Sequence, residues 1–499
     1  MRLHITPSRV LFKRDPMLYG HFLEHFHRQI YGGAFDPGSP LADEDGFRMD
    51  VLDALKKIRT PIIRWPGGCF VSSYNWKKGV GPNRRPVFDK AWRVEDPNTF
   101  GTDEFIMLCR KLNCEPYICT NAGTGTAEEM SDWVEYCNLK CEGEYARMRV
   151  ANGFEAPHNV KYWSVGNENW GSHEIGAKDT AEWGRLVRES AKMIQHVDPT
   201  TSLTAAALVD LDWNVNLLRN CADRLEWISI HKYWDGIWNT NDLASYARCM
   251  SYTAELDTDI NKVRGLLTAM GLEKKIRIAF DEWNLRGWYH PNVHTTYQGR
   301  TPEEYITPRD ANDLNASYTM ADAVFSACFL NTLLRNADIV GMANFAPVVN
   351  TRGAIYTHSD GIVLRTTYHV FDMYVNLMGD TVIDSWMQDA QSYTTPGLEG
   401  DVIVDCIDCV ATLDSVTGAI SISCINKHET EAREITQSLP ITGNVKMTSL
   451  IGNTANDYND IGRNHVYPLS NPDGILERTS NTLRVMLPAH SVNVICIGQ

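Results

Sequence analysis

Between about residues 18 and 380 the chain alternates short apolar runs with stretches whose apolar residues recur every three or four positions. A short apolar run between polar residues suits a strand buried on both faces, whereas three-and-four spacing puts one helix face against a core. Eight runs read as strands: Leu18 to Leu23, Pro61 to Trp65, Glu115 to Thr120, Tyr162 to Val165, Leu203 to Ala207, Trp227 to His231, Ile276 to Phe280 and Ile339 to Phe345. Helices read between them. Asp50 to Arg59 sets Val51, Leu52, Leu55 and Ile58 on one face, and Thr126-Ala127-Glu128-Glu129 has the spacing of a capping box. Thr180 precedes Trp183, Leu186, Val187, Ala191 and Ile194, the start of another helix. Eight strand–helix repeats over roughly 360 residues predict an α/β chain built on a (β/α)8 TIM barrel. No GxGxxG follows the first strand, which removes the usual ground for an open dinucleotide-binding sheet.

Beyond Asp380 the pattern becomes short β-rich runs broken by Gly, Pro, Asn and Asp: Asp401 to Thr412, Ala419 to Asn426, Lys446 to Ile451, Asn481 to Leu487 and Ser491 to Ile497. That predicts an antiparallel β-sandwich, jelly-roll-like, of about 110 residues. Arg2 to Thr6 also alternates and is expected to pair with it. The expected domains are therefore a catalytic barrel over 15–380 and a sandwich formed by 1–14 with 381–499.

Composition narrows the class. With 43% hydrophobic and 22% charged residues, 35 Gly and 21 Pro, the chain is neither disordered nor fibrous. A formal charge of −15 argues against non-specific nucleic-acid binding, which needs a basic patch. No window reaches the ~18 consecutive apolar residues of a membrane span. The opening Met1-Arg2-Leu3-His4-Ile5-Thr6-Pro7 has no apolar signal core, so a cytoplasmic protein is expected. Thirteen cysteines, an odd number, read as reduced thiols. Cys406 and Cys409 form the one CxxC, but strand positions three apart point to opposite faces, so no metal is expected there.

The chemistry of a barrel lies at the C-terminal ends of its strands. The fourth ends in Gly166-Asn167-Glu168-Asn169-Trp170 and the seventh in Asp281-Glu282-Trp283-Asn284. Each places a glutamate just past an apolar strand, and strands four and seven face each other across the mouth. Two carboxylates flanking one bond are the minimum equipment for glycoside hydrolysis. The first, second and sixth strands add Gly20-His21-Phe22-Leu23-Glu24-His25-Phe26, Arg64-Trp65-Pro66-Gly67-Gly68-Cys69-Phe70 and His231-Lys232-Tyr233-Trp234. Together these supply an Arg to pair with a carboxylate, His and Tyr to orient it, and Trp to stack on a sugar face. His21, His25 and His27 suggest a metal, but a histidine on a strand need not converge with its neighbours, and no metal or cofactor is expected.

These segments, with Tyr74-Asn75-Trp76, Gly79-Val80-Gly81-Pro82, Asn121 to Thr126 and Ala343-Asn344, resemble glycoside hydrolase family 51 in family order through the whole barrel. The resemblance implies an exo-acting α-L-arabinofuranosidase working with retention on arabinoxylan, arabinan or derived oligosaccharides. It implies Glu168 as acid/base and Glu282 as nucleophile. Glu24, Asn167, Tyr233 and Trp283 would be sugar-pocket residues, with Arg64 and His231 as supporting groups. It also implies a homo-oligomer, a hexamer or smaller. Two departures lie near the family's sugar pocket: Cys69 where many members carry Asn, and Ala346 to Arg352 where many carry Gln. The family also includes endoglucanases and xylosidases, so a β-1,4-endoglucanase or β-xylosidase is the alternative reading. Leu285 to Ala311, with Trp288, Tyr289, His290 and His294, is too long for a simple connection and is expected to form a lid or subsite wall. A sugar-binding barrel without activity would lack one glutamate, and a metal-dependent hydrolase would need a ligand set at the strand ends that the sequence does not assemble.

Overall fold

The eight strands that close the barrel are Gly20–Phe22, Ile62–Trp65, Glu115–Thr120, Tyr162–Val165, Ser202–Ala206, Trp227–Asp235, Arg277–Arg286 and Val340–Phe345. They are parallel, each paired with the next and the last with the first. This is a computed structural model, and it describes residues 1–238, 242–288, 301, 303, 314–438, 443–472 and 474–498. Every residue of Ile62–Trp65, Ser202–Ala206 and Val340–Phe345 is buried, so these strands read as apolar runs without alternation. The outer helices bury the expected stripes: Met49–Lys57 turns Val51, Leu52 and Leu55 inward. Thr126 caps Ala127–Asn138 by accepting from Glu129 N. The helix Thr180–Val197 is capped by Asp179 rather than by Thr180, its carboxylate accepting from Glu182 N at 2.8 Å.

The helix between the seventh and eighth strands, Met320–Arg335, is buried along nearly its whole length because it lies between the barrel and the C-terminal sheet. A helix apolar all round has to be covered all round. Polar residues toward its C-terminal end reach the second layer, Asn331 Nδ2 donating to Asp408 Oδ1 at 2.6 Å and Arg335 pairing with Asp408 at 2.9 Å.

The C-terminal domain is a ten-stranded sheet, antiparallel throughout except for one pairing. The opening strand Arg2–Lys13 runs antiparallel to Thr381–Gln388, and at Arg2 and Leu3 parallel to Arg433–Ser438. Leu3, Ile383, Ile422, Met447, Val485 and Ile495 share one core although they come from both halves of the sheet. Asn426, ending Ile420–Asn426, donates to the carbonyl of Leu487, ending Thr482–Leu487. The sheet therefore folds over on itself. All thirteen cysteines are free, Cys406 and Cys409 among them. No helix among the described residues is long and apolar enough to cross a membrane.

Two barrel strands extend past their expected ends, and this positions the site. The sixth runs to Asp235 and the seventh to Arg286, pairing Glu282 with His231 and Asn284 with Tyr233. Between Ala279 and Glu282 the seventh strand holds one residue more than its partner, a β-bulge. Glu282 thus lies inside the strand, not beyond it as the apolar run suggested. The bulge ends the apolar pattern while backbone pairing continues.

Candidate active site

Arg64 organises the charges at the barrel mouth. It lies on the second strand with no exposure to solvent. Nη1 donates to Glu282 Oε2 at 2.8 Å, Nη2 donates to Asn167 Oδ1 at 2.7 Å, and Nε lies 3.3 Å from Asp281 Oδ2. A buried guanidinium without such partners would be strongly destabilising. Consecutive residues in a regular strand point to opposite faces. Asp281 and Glu282 both reach Arg64 because the bulge turns them inward together.

Asp281 is fully enclosed and accepts from Tyr117 Oη at 2.8 Å and Ser229 Oγ at 2.6 Å. Burial would raise its carboxyl, but Arg64 and His231 hold it below the usual carboxylate value. Glu282 accepts from Tyr233 Oη at 2.5 Å on its other oxygen. Both of its oxygens therefore carry a donor, which holds the carboxylate in one orientation.

Glu168 follows the fourth strand in a tight turn where Gly166 and Glu168 both take left-handed φ, +72° and +43°. A non-glycine residue in that region stores on the order of 1 kcal/mol or more, a strain found where function needs it. The turn aims the carboxylate between two imidazoles, His231 Nδ1 at 2.8 Å and His173 Nε2 at 2.8 Å. Burial would raise Glu168, but these two rings hold it well below the usual carboxylate range. Burial would lower His231, but Glu282, Asp281 and Glu168 push it up to about 10. His173 is also raised, chiefly by its hydrogen bond to Glu168. One oxygen of Glu168, one ring nitrogen of His231 and one oxygen of Glu282 lie within 4.8 Å of one another.

Glu24 completes the polar floor. Its Oε1 accepts from Gly68 N at 3.0 Å, Phe70 N at 3.3 Å and Trp92 Nε1 at 3.1 Å. Gly67 must be glycine for this approach: φ is +151°, and a Cβ there would sit 2.3 Å from Glu24 Cγ. Burial, then the charge of Glu282, pushes Glu24 up to about 8. Above this floor is a cavity of about 400 Å³, walled by Phe26, Trp92, Trp238 and Trp288. Trp92 and Trp288 meet edge to face at 4.8 Å. Aromatic faces beside convergent acids suit the alternating C–H and O–H surfaces of a sugar.

Most of the residues singled out in the sequence converge here. Glu24, Cys69, Asn167, Glu168, His231, Tyr233, Glu282 and Trp288 line the cavity, and Arg64 lies behind the carboxylates. Trp283 does not. It is fully buried among Phe329, Phe345 and Phe371, because the residue after Glu282 points from the strand toward the helices. The histidine cluster disperses: His21 is edge-on to Phe371 at 4.8 Å, with burial lowering it to about 3, and His25 pairs with Asp96 at 2.9 Å. Asn121 Oδ1 accepts from the backbone of Gly123, Thr124 and Gly125, so that motif shapes a loop. Of the expected lid, Leu285 and Arg286 belong to the seventh strand and Trp288 is a cavity wall, while Tyr289, His290, His294 and Ala311 lie outside the described residues.

Sequence reasoning missed Trp92, Trp238, His173, Glu174 and Arg352. Trp92 lies between the short strands Val87–Asp89 and Val94–Asp96, and nothing in that stretch marks it. His173 and Glu174 had a usable signal, their place in the loop that carries Glu168. Arg352 sits where the departure from the family pattern was seen, its guanidinium 4.7 Å over the Tyr233 ring.

Two family models match the chain. Residues 54–250 match the α-L-arabinofuranosidase 1 domain and residues 281–491 the α-L-arabinofuranosidase C-terminal domain. The chain is similar to a probable α-L-arabinofuranosidase C of Aspergillus terreus, with 32% identity covering 99% of this chain and 96% of that one. It is also similar to an intracellular exo-α-(1→5)-L-arabinofuranosidase of Halalkalibacterium halodurans, with 32% identity covering 84% and 83%. Among solved structures, the thermostable GH51 α-L-arabinofuranosidase of Thermotoga petrophila superposes with a TM-score of 0.87 and 33% identity over 99% of both chains.

Proposed function

The chain belongs to the α-L-arabinofuranosidases of glycoside hydrolase family 51, and from that premise we propose an exo-acting, retaining enzyme that releases terminal arabinofuranose from arabinoxylan, arabinan or their oligosaccharides. The observation that carries the route is that one oxygen of Glu168 and one oxygen of Glu282 lie within 4.8 Å of each other across one cavity, the two carboxylates held by different donors. Retaining glycosidases hold their two carboxyl groups about 5–5.5 Å apart, whereas inverting ones leave room for a water. Glu282, oriented by Arg64 and Tyr233, attacks the anomeric carbon. Glu168 protonates the departing oxygen and then deprotonates the water that resolves the covalent intermediate.

The free enzyme keeps Glu168 ionised, so its proton must be held nearby. His173 and His231 each lie 2.8 Å from one of its oxygens, and both are raised toward the charged form. A sugar that expels water from the cavity favours a neutral carboxyl. Transfer from His173, the more exposed ring, then arms the acid. Asn167 has its Oδ1 on Arg64 and one N–H on Glu174 Oε1 at 2.5 Å, leaving the second N–H for a sugar hydroxyl. A cavity of about 400 Å³ is at the small end of ligand sites, which supports removal of a chain end. The exo-acting, intracellular character of the bacterial relative supports that mode and a cytoplasmic location.

The test is hydrolysis of p-nitrophenyl α-L-arabinofuranoside beside p-nitrophenyl β-D-xyloside and a soluble β-glucan, with NMR of the first anomer released. Preference for the arabinofuranoside with retained configuration is expected. Faster hydrolysis of the xyloside or glucan would favour the alternative specificity, and an inverted first product would overturn the double displacement.

A further inference from the structure

Three side chains beside the cavity form a second cluster, and of them only His173 has a part in the proposed reaction, as proton donor to Glu168. Cys69, His173 and Glu174 each present one donor atom, a sulfur, a nitrogen and an oxygen, all within 4.8 Å of one another. Glu174 is only 5% exposed; Asn167 holds its Oε1, and the buried Oε2 has no well-formed hydrogen bond, with the Cys69 thiol and the Ser72 hydroxyl as the side-chain donors nearby. A buried carboxylate oxygen left in that state calls for a ligand. His173 engages Glu168 through Nε2, a carboxylate–imidazole pairing of the kind that orients metal-binding histidines.

From this arrangement we infer that Cys69, His173 and Glu174 form a binding site for a thiophilic divalent cation, Zn²⁺ in the first place. A mixed sulfur, nitrogen and oxygen set favours Zn²⁺ over Mg²⁺ or Ca²⁺, which take oxygen ligands. Zn²⁺ sits about 2.0–2.3 Å from such donors, so they must close to roughly 3.3–3.6 Å of one another. Cys69 turns about a single side-chain bond, and the His173 side chain is 43% exposed, so both can close on the fixed Glu174. Because Cys69 and His173 line the cavity, the ion's open position faces the sugar. Zinc is thus an inhibitor that competes with substrate. That consequence rests on the sugar pocket proposed above, whereas the binding itself does not.

The test is calorimetric titration of the EDTA-stripped full chain with Zn²⁺, with Cd²⁺ as an optical probe of thiolate ligation. One ion per chain and a cadmium–thiolate absorption band are expected. Cys69→Ala should abolish the band, and both Cys69→Ala and Glu174→Gln should weaken zinc binding at least about tenfold. Cys141→Ser, at the exposed thiol, should change neither. In the wild type, zinc should raise KM for the nitrophenyl arabinofuranoside at constant kcat, reversibly with EDTA, and it should leave the KM of Cys69→Ala unmoved. Absence of a stoichiometric site, or one unaltered in both Cys69→Ala and Glu174→Gln, would overturn the inference. Cys69-dependent binding that leaves KM unchanged would uphold the metal site and count against the placing of the sugar.

Discussion

Replacing Glu24 with Gln should make the protein more stable, by an amount that grows with pH. Glu24 is 5% exposed, and burial together with the charge of Glu282 raises its pKa from 4.5 to about 8. Between those values the unfolded chain ionises this group while the folded one keeps it protonated. An acid raised on folding subtracts stability: nothing is lost below about pH 4.5, the loss grows through the window, and it levels off above about pH 8. Each pH unit in the window is worth about 1.4 kcal/mol, so the loss reaches about 3 kcal/mol at pH 7. Gln has the same shape, keeps Oε1 for Gly68 N, Phe70 N and Trp92 Nε1, and carries no charge to repel Glu282.

Melting temperatures of both proteins from pH 5 to pH 8.5 test this. The curves should nearly meet at pH 5 and separate toward pH 8, with Glu24→Gln the more stable. Because the group is neutral in the free wild type at pH 7, kcat/KM should fall by no more than about tenfold, the scale of one neutral hydrogen bond. A separation that stays flat, or reverses sign with rising pH, would show that Glu24 is ionised in the fold and refute the reasoning.

The two glutamates proposed as acid/base and nucleophile should separate by leaving group. Glu168→Ala should lose far more rate on arabino-oligosaccharides than on a dinitrophenyl arabinofuranoside, general acid–base help being worth about 10²–10⁴-fold, and azide should rescue it with retention. Glu282→Ala should fail on both substrates, and identical behaviour of the two variants would refute the division of roles. Tyr233→Phe removes the 2.5 Å hydrogen bond to Glu282 and should lower kcat/KM about 10- to 150-fold without shifting the far-ultraviolet circular dichroism. Overnight EDTA should leave turnover no lower than about half, because the carboxylate pair needs no Lewis acid; a loss restored by Zn²⁺, Mn²⁺ or Ca²⁺ would contradict this.

The barrel and its carboxylate pair were legible in the chain because both depend on local rules. Buried parallel strands have to be apolar runs, helices between them have to show one apolar stripe, and the residue ending a barrel strand faces the mouth. Glu168 and Glu282 could therefore be placed before any coordinate. The direction of Trp283 could not, since a strand-end tryptophan serves a sugar or a core equally well. The one-residue bulge beside Asp281 turned that side chain to Arg64 and sent Trp283 among phenylalanines. Nor could the chain announce Trp92, 68 residues from the Glu24 it hydrogen-bonds, or Arg352 over Tyr233. Charge states are likewise a through-space property. His231 reaches about 10 against its burial because of the carboxylates around it, and Glu24 reaches about 8 through burial and the charge of Glu282, groups that only the closed barrel brings together.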